Sequence, residues 1–288
     1  MTELQSKVKE LVDAGKTVSE IARELNRNKS SISSAVKALG LNPKKAYENT
    51  VDHEYFDIID TSTKAYFLGF FIADGCVSGD KRDEGKRCNA RFSFNLQEED
   101  GYILEQLKKE INASTPVSYH ITKSGKVKRK PQYKFRWTSV HMQESLRNLY
   151  GLTERKTDLV DYEFPLEKIP EEFLGSFILG FIDGDGSFEQ HDGVFNPTIV
   201  GPNKKWIIQV GDIVSKYTGL TYTLYTKVGK TCDYYTLRWS ANNSYKFEKI
   251  QKLYYFLYKN AAAFLIRKRN KIEAYLKYRA NQLGVKPF

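Results

Sequence analysis

The sequence predicts an α+β chain: a small all-α module followed by two related halves. Three observations predict it. The first forty or so residues space their apolar positions at a helical period in three short runs. Two stretches, FLGFFIADG at 67–75 and ILGFIDGDG at 178–186, each read as an apolar helix ending on a small residue, an aspartate and a glycine. Downstream of each comes an Arg-Trp strand, YKFRWTS at 133–139 and YTLRWSA at 235–241, and then a Tyr/Leu-rich helix closing on a lysine.

Residues 1–41 form the module. Leu4, Val8, Leu11 and Val12 share one helical face, and Gly15 is a stop signal. Thr17 caps a second helix with Glu20 completing a capping box, and Val18, Ile21, Ala22 and Leu25 make its buried stripe. A polar turn, Asn26-Arg27-Asn28, leads to a third helix burying Ile32, Val36 and Leu39 and ending at Gly40. The arrangement resembles a helix-turn-helix. The outward face of the third helix carries Lys29, Ser30, Ser33, Ser34 and Lys37, small polar and basic side chains suited to phosphates and base edges. The alternative is a three-helix packing or dimerisation domain. Residues 42–61, led by Pro43, Lys44 and Lys45, show no sustained period and read as a linker.

The halves span 62–170 and 171–288. The distance from Asp74 to Trp137 is 63 positions and from Asp185 to Trp239 is 54, and the longer half holds the charged stretch SGDKRDEGKRC at 78–88, where a loop insertion is expected. Strands are predicted from alternation at 91–96, 116–122, 128–139, 221–228 and 233–240. In the repeated helix, Gly69 and Ala73 lie four apart, as do Gly180 and Gly184. Glycine inside a helix costs about 1 kcal/mol against alanine, so matched small residues imply close backbone approach of the two helices.

Side by side and parallel, those helices bring Asp74 and Asp185 together. Each carboxylate then faces the negative end of a helix dipole, and the two repel. A divalent cation resolves both conflicts, and hard oxygen ligands suit Mg²⁺ (or Mn²⁺) working on phosphate esters. Asp183 is matched by Ile72 in the first half, so it is read as structural rather than as a ligand. Gly75 and Gly186 are expected to end the helices in a left-handed turn.

The 288 residues carry 45 Lys+Arg against 35 Asp+Glu, a formal charge of +10, with 19 Tyr and 17 Phe. That balance points to a polyanionic partner. Three scattered cysteines and four scattered histidines offer no zinc or disulfide framework. With no signal-peptide pattern and no long apolar run, the chain is read as intracellular and not membrane-bound. P-loop, Rossmann and nucleophile-elbow motifs are missing.

Both FLGFFIADG and ILGFIDGDG resemble the LAGLIDADG motif of homing endonucleases, and two copies in one chain resemble the single-chain members. The resemblance covers roughly 62–275. It implies a pseudo-two-fold pair of αββαββα repeats whose curved sheets form a saddle on double-stranded DNA, acting as a monomer. It implies metal ligation by Asp74 and Asp185, helped by the carbonyls of Ala73 and Gly184. It implies catalytic basic groups at Lys156 and Lys268, and a polar active-site residue at Gln97 with a loose counterpart near Asn203. Lys128, Arg129, Lys130, Lys134, Arg136, Lys227, Lys230 and Arg238 then become candidates for DNA contact, with Trp137 and Trp239 as core anchors. The function implied is site-specific double-strand cleavage, in a bacterial or phage-infected cell or an organelle. The alternatives are an RNA maturase working on its own intron RNA, or a DNA-binding regulator on the same scaffold. An intein is disfavoured by the ends, MTELQ and GVKPF.

Overall fold

A computed structural model describes residues 1–44, 50–78, 90–121, 123–124, 127–128, 130–153, 162–191, 194–229, 232–240 and 246–288. The chain divides into two compact units, Met1–Thr50 and Val51–Phe288.

The first unit is three helices, α1 (Glu3–Asp13), α2 (Val18–Glu24) and α3 (Lys29–Ala38). Thr17 and Glu20 close the expected capping box on α2, and Thr2 with Gln5 closes another on α1. Val8, Ile21 and Ile32 are fully buried at its centre, with Val12, Ala22, Ala35 and Val36 around them. Asn26 and Gly40 adopt left-handed backbone at the two ends where the chain must reverse. Leu41 rather than Leu39 packs on the core. Its N–H returns to the Val36 carbonyl at 3.1 Å, and that bond swings Leu41 back over the helix.

In the second unit each half repeats one order of elements. The first runs α4 (Ser62–Asp74), β1 (Cys76–Ser78), β2 (Arg91–Gln97), α5 (Gly101–Glu110), β3 (Ser118–His120), the short β4 (Lys123–Ser124) and β5 (Val127–Lys128), β6 (Gln132–Thr138) and α6 (Val140–Tyr150). The second runs α7 (Leu174–Asp185), β7 (Gly186–His191), β8 (Val194–Gly201), α8 (Lys204–Thr218), β9 (Thr221–Lys227), β10 (Tyr234–Ser240), α9 (Lys246–Tyr258) and α10 (Ile266–Leu283). The four-stranded sheets have orders β1-β2-β6-β3 and β7-β8-β10-β9, the same arrangement twice, antiparallel throughout. The strands β1, β4, β7 and β8 carry no alternation signal strong enough to be predicted. The insertion expected at 78–88 lies almost wholly outside the described residues.

Residues 51–61 are not linker. Tyr55, Phe56 and Ile59 are buried in the core of the second unit, the Asp52 N–H donates to the Ile111 carbonyl at 2.7 Å, and the Tyr150 hydroxyl donates to that of Phe56 at 2.8 Å. The segment buries single aromatic residues without forming an element, so no period announces it. Trp137 and Trp239 are core anchors as expected. Trp137 stacks on Phe92, and both indoles lie beneath their sheets. No helix among the described residues is long and apolar enough to cross a membrane.

Candidate metal centre and nucleic-acid face

The two motif helices pack backbone against backbone. A Cβ on Gly69 would run into the carbonyl oxygen of Phe177, one on Gly180 into that of Tyr66, and one on Gly184 into the Cβ of Ala73. Gly69 sits between Phe177 and Phe181, Gly180 between Tyr66 and Phe70, and Gly184, four residues on, beside Ala73 and Asp74, so α4 and α7 run parallel and end together. The carboxyl carbon of Asp74 lies 3.4 Å from the place a Cβ on Gly184 would take. Asp74 therefore rests against the residue before Asp185. Asp74 is exposed and Asp185 is half-buried, lining a cavity of about 210 Å³ with Ile72, Ala73, Phe181, Asn203 and Trp206.

The helix ends differ from expectation. Gly75 has φ −69° and ψ 145°, and Gly186 has φ −98° and ψ 166°, so neither is left-handed. The chain turns straight into β1 and β7. Glycine is needed because a Cβ would sit 2.6 Å from the Phe71 carbonyl oxygen at Gly75, and 2.6 Å from that of Ile182 at Gly186. The requirement is room beside the last helical turn, not a positive φ.

Lys268, near the start of α10, is buried, and its ammonium donates to the carbonyls of Ile182 (2.7 Å), Asp183 (2.6 Å) and Gly186 (2.6 Å). An ammonium has three protons, and all three go to main chain. Lys268 was expected as a catalytic basic group; in this structure it caps the end of α7, where a cation complements the helix dipole. Burial pulls it down to about 8, opposed by the charge of Asp183.

Asp183 is structural, as read. Its Oδ2 accepts the Tyr66 hydroxyl at 3.0 Å and the Leu265 N–H at 2.7 Å, tying α7 to α4 and to the entry of α10. Burial pushes it up to about 7, against the pull of Lys268. Gln97, at the end of β2, donates to Oδ2 of the buried Asp100 at 2.9 Å. Arg267 converges on the same carboxylate through Nε, at 2.9 and 3.1 Å. Register moves the counterpart of Gln97 off Asn203. Ser93 faces Arg136 and Thr198 faces Arg238, so four residues on, Gln97 matches Pro202. Asn203 instead caps α8, accepting from the Trp206 N–H at 3.0 Å.

Each sheet has one face in the core and one turned away from it. On the first, the outward set is Cys76, Ser78, Arg91, Ser93, Asn95, Gln97, Gln132, Lys134, Arg136 and Thr138, with Ser118 and His120. On the second it includes Ser187, Glu189, Asn196, Thr198, Thr223, Tyr225, Lys227, Tyr234, Thr236 and Arg238. Of the residues expected to contact DNA, Arg136, Lys227 and Arg238 are exposed there and Lys134 is half-buried, and Arg238 lies over the Tyr225 ring at 5.9 Å. Arg91 and Asn95 were missed, although they stand on the same alternation as Arg136. Lys130 is exposed, the side chain of Lys128 is not described, and Arg129, Lys156 and Lys230 lie outside the described residues. In the first unit Lys29, Ser30, Ser33, Ser34 and Lys37 are all exposed on α3.

No family model matches this chain, and no curated protein does. Among solved structures it is similar to three DNA complexes. I-DmoI in complex with DNA and Mn is 17% identical, covers 68% of this chain and 97% of its own, and has a TM-score of 0.41. Meganuclease I-SmaMI bound to uncleavable DNA is 17% identical, over 77% and 92%, TM-score 0.45. The homing endonuclease I-WcaI bound to its recognition sequence is 13% identical, over 82% and 96%, TM-score 0.48. These neighbours are LAGLIDADG homing endonucleases.

Among the described residues no group of three or more His, Cys, Asp or Glu side chains gathers to hold a metal. What the parallel helices supply is two carboxylates. The main-chain carbonyls of Ala73 and Gly184 lie beside them, and Gly184 is passed over by Lys268. That donor set suits a hard cation keeping several waters and taking substrate oxygens, the habit of Mg²⁺, better than zinc, which wants nitrogen or sulfur.

Proposed function

We propose that this protein is a site-specific endonuclease hydrolysing phosphodiester bonds in double-stranded DNA, acting as an intracellular monomer. The observation that carries the reading is the parallel closure of α4 on α7, which places Asp74 against Gly184, beside Asp185, at one shared helix end. Asp74 and Asp185 hold Mg²⁺ or Mn²⁺, with the Ala73 and Gly184 carbonyls alongside. Such an ion, when bound, supplies Lewis-acid stabilisation of the leaving oxygen and lowers the pKa of a coordinated water.

The chain's own groups do the rest. The sheet faces bind the duplex as a saddle, Arg91, Lys134 and Arg136 in one half and Lys227 and Arg238 in the other. Arginines read guanine edges and lysines take phosphates. Thr223, Asn95 and Gln132 add hydrogen-bonding groups that sort base edges. The three-helix unit acts as a helix-turn-helix that lengthens the footprint through Lys29, Ser30, Ser33, Ser34 and Lys37. Lys268 holds the α7 end so that Asp185 keeps its aim.

The test is selection of cut sequences from a randomised duplex library in Mg²⁺, with Ca²⁺ in parallel, using wild type, Asp74→Asn and Asp185→Asn. A single enriched site, cut by wild type alone and in Mg²⁺, is the expected result. Specific binding without cutting in any divalent metal overturns it in favour of a DNA-binding regulator. Preference for structured RNA over duplex DNA favours a maturase.

A further inference from the structure

Lys268 spends its protons on main chain, which leaves open the cation that meets substrate charge beside the carboxylates. The geometry points to Arg267 as a phosphate-contacting residue, carried by the second half and presented at the sheet of the first. This rests on the nuclease reading above.

Arg267 differs from its neighbour in every relevant respect. Lys268 is buried, whereas the Arg267 side chain is 35% exposed. Its Nε is fixed by Asp100, a carboxylate 3% exposed, itself held by Gln97 from the outward face of the first sheet. The bonds to Asp100 run through Nε, and among the described residues neither terminal nitrogen of the guanidinium fork has a hydrogen-bond partner. The fork is the part of arginine that matches two phosphate oxygens.

The backbone around Arg267 is locked as well. The Tyr102 hydroxyl accepts from the Ile266 N–H at 2.6 Å and donates to the Phe264 carbonyl at 2.8 Å, and the Leu265 N–H donates to Asp183. Lys268, the next residue, lies within the electrostatic reach of Asp74, Asp100 and Arg267 together. A guanidinium held so rigidly, one residue from the group that caps the Asp185 helix, spends little conformational entropy on gripping a phosphate. Its task is to take charge on the strand running past Asp74 while Asp100 fixes its direction.

The experiment measures binding of a 40-base-pair duplex of arbitrary sequence in Ca²⁺ as salt is varied. Each phosphate contact contributes about 0.9 to the slope of log K against log salt. Arg267→Gln keeps an N–H for Asp100 and deletes the charge, and it is expected to flatten the slope by about one. Arg267→Lys keeps the charge and the slope. Lys252→Met, an exposed lysine on α9, leaves the slope as in wild type. An unchanged slope in Arg267→Gln, or an equal loss in Lys252→Met, overturns the assignment while the nuclease reading stands. If Arg267→Gln does not fold, a slope lost in the folded Arg267→Lys overturns it too, and a slope kept there supports it. Wild type without salt-dependent duplex binding overturns the nuclease reading itself.

Discussion

The hydroxyl of Tyr66 on α4 donates to Oδ2 of Asp183 on α7 at 3.0 Å, and both side chains are fully out of solvent. The bond crosses the seam where the two halves meet. A hydrogen bond to a charged or partly charged group is worth roughly 1.5–3 kcal/mol, and more is lost when the acceptor stays buried. Tyr66→Phe is expected to lower stability by about that much in urea unfolding. A midpoint equal to wild type would show that the seam does not depend on it.

The seam's close approach makes a second prediction. Gly180→Ala sets a methyl against the Tyr66 carbonyl and within 2.8 Å of the Phe70 nitrogen, atoms that cannot rotate away. Overpacking usually costs about 1–3 kcal/mol, and here the loss belongs at the upper end or above. Gly184→Ala meets the Ala73 methyl instead, so adding Ala73→Gly should restore part of the loss. Thermal midpoints of the four proteins give the coupling, expected at about 0.5–3 kcal/mol.

Lys268→Met removes the donor to three carbonyls at the end of α7. Each buried carbonyl left dry costs on the order of 1–3 kcal/mol. Loss of about 3 kcal/mol or more is expected, with slower hydrogen exchange lost first at the amides of β7. A variant as stable as wild type, with those amides protected, would put Lys268 back among groups facing the substrate.

The imidazole of His141 lies 2.7 Å from Asp57, joining α6 to the segment at 51–61. The hydrogen bond it donates to the Asp57 carboxylate raises its pKa above the ordinary 6.5. A raised folded-state value means the contact contributes fully below pH 6.5 and is lost as pH rises through the folded pKa. His141 is half exposed, so the effect is small. The stability gap between wild type and Asp57→Asn should therefore be larger at pH 6 than at pH 8. The His141 ring proton should titrate at lower pH in the variant. A gap that grows with pH would refute the pairing.

Arg136 and Trp137 are neighbours on β6 facing opposite ways. Arg136→Ala should weaken duplex binding and flatten its salt slope by about one unit, changing stability by less than about 0.5 kcal/mol. Trp137→Ala should cost about 3–5 kcal/mol by emptying the packing around Phe92, Phe94 and Phe135. Fluorescence-monitored unfolding and a gel-shift titration separate the two.

The helices of the first unit, the two motif helices, their matched small residues and five of the strands were legible because their signals are local. Periods of 3.6 and 2, caps such as Thr17 with Glu20, and glycines four apart act between residues a few positions away. The close approach of the two motif helices was legible for a related reason: a feature stated twice implies its own symmetry axis. The destination of Lys268 was not, because a lysine's partner is set by which carbonyls the fold leaves without donors, and those of Ile182 and Gly186 lie more than eighty residues away. The same holds for Arg267 on Asp100, for Tyr66 on Asp183, and for the aromatic residues at 51–61. The sequence by itself determined which elements form and that two aspartates end two matching helices. Only the tertiary structure decided which buried donors meet which acceptors, because that choice depends on desolvation and distance after the halves have closed.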